Sequence, residues 1–343
     1  MATTHLKGID EVVNHRRKYS EWGSPKGFDM DSLPWRLWDK SKKLNWDPAD
    51  IDFSQDAKDW TSMTDDQKLT VAGLARGFMV GEEGVTLDIM PLLIAISDEG
   101  RTEETIFLTS FAYEEAKHVD FFRRWFNAIK AEPTELEEMA RERMRARGVE
   151  PQSRDRDTGM FESELPRVMR RLLVDRSPEA FLDAGVTYNQ FIEGCLAIAG
   201  YRMWSYMFEQ FGVLPGLREG LNLVQRDERR HIAYGTYLCR RIIAANPDLV
   251  EFAKNRMYAL RDGYFQGNQQ AQQAQQAADG DGNGQGGGGY GGGGGEFAPF
   301  LEHVRKQVDR RIEIMEKAKL LTPEQAESGA GAEEAEEELE AVS

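Results

Sequence analysis

The chain has 343 residues, a formal net charge of -16 and a mean hydropathy of -0.58. That charge argues against nucleic acid or an anionic membrane surface as a partner. No apolar run reaches the ~18 residues of a membrane span, and Met1 to Asp10 hold no signal-peptide core. The cysteines, Cys195 and Cys239, match no metal or redox spacing and read as buried apolar residues rather than a disulfide. The expectation is a soluble, cytoplasmic protein.

In chain order, residues 1–60 mix charges and prolines with Trp35, Trp38, Trp46 and Trp60, and predict a short helix near Asp10 to Trp22 followed by an irregular wrap. Apolar positions at helical spacing then predict four long helices, over Asp65 to Ser97, Thr102 to Ala131, Pro178 to Phe211 and Leu217 to Ala245. Short links make two antiparallel pairs of them. The link between pairs is long and charged, with a helical stretch over Thr134 to Arg147, as the crossover of a ferritin-like bundle requires. Another helix is predicted over Leu249 to Phe265 and a last one over Phe297 to Leu320. Between them lie a Gln/Ala run and twelve glycines from Gly280 to Gly295, too polar to bury a core. The resulting division is an N-terminal wrap (1–60), a dimetal bundle (61–265), a flexible insertion (266–295), a C-terminal helix (296–321) and a disordered acidic tail (322–343).

Two Glu-x-x-His runs carry the chemistry, Glu115 to His118 and Glu228 to His231, each with a lone Glu on the preceding helix, Glu82 and Glu193. Residues three apart share a helix face. Around Glu115 that face reads Leu108, Phe111, Glu115, His118, Phe122, Trp125, Ile129; around Glu228 it reads Leu221, Val224, Glu228, His231, Leu238, Ile242. Glu82 falls among Val71, Leu74, Phe78, Val85 and Ile89, and Glu193 among Leu182, Val186, Leu196 and Trp204. Each helix thus has a carboxylate in its core stripe, with no Arg or Lys in these stripes to neutralise it. Burying one unpaired carboxylate costs several kcal/mol, and four add mutual repulsion. A pair of cations removes both penalties. Carboxylate and imidazole without thiolate suit manganese or iron better than structural zinc.

The expected centre takes Glu82, Glu115 and His118 at one metal and Glu193, Glu228 and His231 at the other, with Glu115 and Glu228 bridging. Such a shell leaves positions open for oxygen activation. Asp227, beside Glu228, is a candidate acceptor for a ligand histidine's N–H; from spacing alone, an exposed helix charge is an equal reading. His5, His15 and His303 look like surface or terminal residues. The fold class is all-α, a ferritin-like four-helix bundle with additional helices.

The ligand order resembles the ribonucleotide reductase small-subunit superfamily, including the Asp that opens Asp227-Glu228-Arg229-Arg230-His231. Over about residues 60–250 it looks closest to the ligand-binding oxidases similar to that subunit, on the runs Gly81-Glu82-Glu83-Gly84-Val85-Thr86 and Tyr188-Asn189-Gln190-Phe191-Ile192-Glu193. The resemblance implies a heterodinuclear Mn and Fe centre (di-iron being the other option), dioxygen as oxidant, a bound long-chain fatty acid and a homodimer. It also implies an ether crosslink between Val85 and Tyr188, which spacing does not reveal, since Tyr188 lies well off the Glu193 face of an ideal helix. Read without the resemblance, both are ordinary core residues.

Phe122 stands where the reductase subunit usually holds its radical tyrosine, and Ala326 to Ser343 contains no tyrosine to relay a radical to a partner. Both points favour the oxidase. The alternative is the radical-generating small subunit of ribonucleotide reductase, which requires a large catalytic partner. A third reading, a ferritin-like metal store, requires many metals per chain.

Overall fold

The protein is described here by a computed structural model that covers residues 28–146, 159–279 and 297–329. The helix expected near Asp10 to Trp22, the glycine run and the end of the acidic tail lie outside the described residues. The described residues contain helices and connecting turns, with no strand.

The N-terminal part differs from an irregular wrap. It contains α1 (Leu33–Lys43) and α2 (Ser54–Ser62), and Trp46 between them is buried. Amphipathic spacing explains the change: Leu33 and Leu37, one turn apart, enter the core from α1. Next comes α3 (Asp65–Asp88), opened by a capping box in which Thr64 and Gln67 satisfy each other's backbone N–H. The single helix expected to Ser97 breaks at Ile89, and α4 (Met90–Asp98) follows with Pro91 in its first turn. Proline has no N–H to continue the ladder, so the chain restarts there.

Helix α5 (Thr102–Ala128) runs back along α3, and α6 (Pro133–Ala146) begins the crossover. After a π-helical turn (Met160–Glu164) and α7 (Leu165–Arg171), the third core helix is three pieces: α8 (Pro178–Gly185), a π-helical segment (Val186–Ala197) and α9 (Ile198–Phe211). This corrects the expected uninterrupted α-helix, and the wider register includes the Glu193 position. Gly212, at φ 63°, ends α9 in the left-handed conformation glycine tolerates. Helix α10 (Pro215–Ala245) closes the second pair.

Helix α11 extends over Leu249–Asp279, through the Gln/Ala half of the segment expected to be flexible. Gln and Ala are good helix formers, which a reading of the stretch as low-complexity leaves out. Helix α12 (Phe297–Lys317) follows. The first residues of the supposed disordered tail form α13 (Pro323–Glu327), whose Glu327 makes a two-pronged ion pair with Arg101 at 2.7 and 2.8 Å. The charge read as a reason for disorder here finds a cation.

The core has two apolar halves. One gathers Val85, Phe111, Tyr188, Ile192 and Tyr234; the other gathers Phe78, Phe121, Phe122, Trp125, Trp204 and Val224. Each core helix passes from one half to the other, and the four carboxylates lie at the crossing.

Candidate metal centre

Glu82, Glu115, His118, Glu193, Glu228 and His231 are all buried, and the structure brings them together. Ligand atoms of Glu82, Glu115, His118 and Glu228 fall within 4.8 Å of one another, as do those of Glu115, Glu193, Glu228 and His231. Glu115 and Glu228 are common to both groups, as bridging residues must be.

The imidazoles share one orientation. His118 Nδ1 lies 3.1 Å from Glu82 and 3.4 Å from Glu228; His231 Nδ1 lies 3.0 Å from Glu115 and 3.5 Å from Glu228. Each Nε2 points away. His118 Nε2 is 3.3 Å from Asp227 Oδ2, and His231 Nε2 is 2.9 Å from Glu114 Oε2. With Nε2–H donating to these acids, Nδ1 is the nitrogen turned to the carboxylates, and its lone pair is what a metal would take, displacing any proton held there.

Asp227 therefore serves a histidine on the opposite helix, not the one in its own run. Glu114 does the converse. Sequence reasoning missed Glu114, though the signal was there: an acid precedes the Glu in both runs. It also missed the cation before each histidine. Buried Lys117 lies 2.8 Å from Asp227, and buried Arg230 donates to Glu114 and to Asp227, each at 2.6 Å. Trp46 Nε1–H donates to Asp227 at 2.7 Å, a residue of the supposed wrap brought against the centre. His303, expected at the surface, is largely buried and sits 3.5 Å from Arg202, in neither group of candidate ligands.

Tyr188 donates its O–H to Glu115 Oε1 at 3.1 Å, and Asn189 Nδ2–H donates to Glu193 at 2.9 Å. The π register explains why spacing misplaced Tyr188. With i→i+5 hydrogen bonds, residues five apart return to the same side of the helix, so Tyr188 turns toward the centre along with Glu193. Gly235 makes room for Asn189: a Cβ there would come within 1.9 Å of the Asn189 Cβ.

The electrostatics fit cations. Burial and the neighbouring carboxylates push Glu115 and Glu228 well above the ordinary range, and burial drives Glu193 up to about 8. Among the described residues, none of the ion pairs of Glu82, Glu115, Glu193 or Glu228 is with a lysine or arginine. Glu193 Oε1 is buried without a hydrogen-bond partner. Six oxygen and nitrogen donors, no thiolate and an orphaned carboxylate oxygen suit two hard or borderline metal ions.

A cavity of about 660 Å³ ends on this centre. Glu82, Glu115, Glu193 and Glu228 line its inner end, and Phe78, Phe161, Ile192, Leu196, Leu260 and Phe300 give it apolar walls.

Fold and site together define a ferritin-like, dimetal-carboxylate oxidoreductase. A family model for the ribonucleotide reductase small chain matches residues 31–262. The R2-like ligand-binding oxidase from Sulfolobus acidocaldarius is 32% identical, with 89% of this chain and 97% of that one covered and a TM-score of 0.70. Two variant structures of an R2-like ligand-binding oxidase are each 30% identical over 84% of this chain and 94% of theirs, with a TM-score of 0.68. One carries a non-activated Mn/Mn cofactor, the other an anaerobically reconstituted Mn/Fe cofactor. The chain belongs to the ribonucleotide reductase small-chain family.

Proposed function

We propose that this protein is a Mn/Fe oxidase that activates dioxygen and oxidises a bound long-chain, fatty-acid-like ligand. The observation that carries the reading is the apolar cavity ending on the four carboxylates that would hold the metal pair: with those cations in place, an acidic head would be drawn to the centre and a long apolar chain would fit the walls. Glu82, Glu115 and His118 would hold one ion and Glu193, Glu228 and His231 the other. When bound, the metal pair supplies the reduction of dioxygen and hence the oxidising power.

The protein groups orient and insulate this chemistry. Asp227 and Glu114 fix the two imidazoles, and the aromatic rings of Phe78, Phe111 and Phe122 exclude water. The line Trp46, Asp227, His118 gives electrons a hydrogen-bonded way in. The same oxidation would join Val85 to Tyr188. A C–H bond of Val85 and the O–H of Tyr188 are replaced by a C–O bond, and two protons and two electrons pass to dioxygen. Tyr188 and Val85 are both buried in the same core half, and Glu115 holds the phenolic hydrogen. A homodimer fits the exposed Leu87, Met90 and Ile94, which lie along α3 and α4.

Peptide mass spectrometry after aerobic loading with Mn and Fe tests the reading. The expected product is a Val85–Tyr188 peptide pair two hydrogens lighter than its parts; two separate peptides would refute the crosslink. The radical-generating subunit remains the second reading, favoured by the same Trp46–Asp227–His118 line. It would show itself by retaining a large reductase subunit in a pull-down.

A further inference from the structure

We propose that Phe161 selects the ligand's shape, keeping the carboxylate end of the cavity too narrow for a branch next to the acid head; the inference rests on the fatty-acyl reading above. Phe161 belongs to the π-helical turn Met160–Glu164, which packs on α3. Its ring sits in a notch made by two glycines. A Cβ on Gly81 would lie 3.2 Å from Phe161 Cζ, and one on Gly84 would lie 3.3 Å from its Cδ1. Both separations are shorter than ordinary carbon–carbon contact, so a side chain at either glycine would push the ring outward by a few tenths of an ångström.

Glycine is the poorest helix former after proline. Neither residue has a positive φ, and neither ends the helix. The seat for Phe161 accounts for both. These glycines flank Glu82 and precede Val85, so the ring packs on the stretch of α3 that carries Glu82, and Phe161 and Glu82 line the same cavity. Phe161, Gly81, Glu82 and Glu193 line that one space, and the orphaned Glu193 Oε1 marks where a head group and its metal belong. Farther along α11 the lining is open: Gly263 is exposed, and a Cβ there would meet nothing within 4 Å. A straight chain can lie beneath the ring. A methyl group on the first carbon after the head would have to displace a ring already backed by helix.

Native mass spectrometry of the full-length, metal-loaded protein decides this, with palmitic acid competing against its α-methyl-branched homologue. One misplaced methylene in an apolar pocket discriminates by roughly 10- to 200-fold, so the native protein should favour the straight acid at least about tenfold. Phe161→Ala should bring the two acids near parity. Phe161→Leu, which keeps apolar bulk and so guards against misfolding, should fall between. Gly263→Leu should shorten the longest straight acid retained while leaving the bias against branching intact. A full native bias in both Phe161 variants would overturn the role of Phe161 alone. Failure of the native protein to take up any long-chain acid would instead overturn the fatty-acyl reading, and this inference with it.

Discussion

The two halves of the centre have the same ligand letters and opposite electrostatics. In the first, Glu82 beside His118 keeps the imidazole protonated up to about 9 against the cost of burial, and His118 in turn holds Glu82 below the usual carboxylate range despite the same cost. In the second, burial drives His231 down to about 4 and Glu193 up to about 8. Without cations, one half is an ion pair and the other a neutral pair. The scaffolds differ too: Glu82 stands on a regular α-helix, and Glu193 on a π segment that also presents Tyr188 and Asn189. His118 faces Trp46 at 6.4 Å between ring centroids, whereas Phe111 stacks on His231 at 3.6 Å. A duplicated motif need not make a duplicated site. This inequality makes the two halves unlike as hosts for a cation.

The most severe test of the pairing is to remove a shared carboxylate. Glu115→Ala or Glu228→Ala should abolish stable binding in both halves, with metal content by mass spectrometry falling from two ions per chain to fewer than one. Glu82→Ala, by contrast, should spare the second half. Should Glu115→Ala retain one tightly held ion, the bridging role is wrong.

The crossed partners allow a finer test. Asp227→Asn should weaken the half built on His118, and Glu114→Gln the half built on His231, each by about 10- to 100-fold in metal affinity. Manganese EPR titrations of the two variants should lose different sites. Loss from the half on each acid's own helix would reverse the assignment.

Acidity separates the halves in the chelated protein. His118, raised from 6.5 to about 9, stabilises the fold fully below pH 6.5 and loses that contribution as pH rises through 9. Glu193, raised from 4.5 to about 8, likewise loses its contribution as pH rises through 8. His231, lowered to about 4, works in reverse: its contribution is complete above 6.5 and disappears as pH falls through 4. The chelated protein should therefore melt on the order of 5 °C lower near pH 9 than near pH 6.5. Metal loading should flatten that slope, because binding has already displaced both protons. Parallel melting curves with and without metal would contradict the shifts.

The smallest effect lies away from both halves. Glu327→Gln removes one partner of a partly exposed pair with Arg101 and should cost about 0.5–1 kcal/mol in urea unfolding, with metal content unchanged.

Much of the site was legible because a helix writes its faces into local spacing. Glu115 and His118 share a face whatever the bundle does, and so do Glu228 and His231. Spacing also marked Glu82 and Glu193, since a carboxylate in an apolar stripe demands a partner. Tyr188 was not readable this way: a change from i→i+4 to i→i+5 has no signature in apolar periodicity. Glu114, Lys117 and Arg230 sat beside the ligands and were passed over, because an adjacent residue points to a different face and its partner lies on another helix. The Gln/Ala stretch and the start of the acidic tail were misjudged for a related reason. Composition reports the absence of a local core, not the presence of helix propensity or a distant cation.

By itself the amino-acid order determined the helical class, the two helix pairs and the six candidate ligands, all consequences of periodicity within single helices. Only the folded arrangement decided which acid orients which histidine, that Trp46 reaches Asp227 across 181 positions, and where the cavity runs. Those outcomes depend on how rods pack side by side, and packing brings together residues whose separation along the chain carries no trace of it.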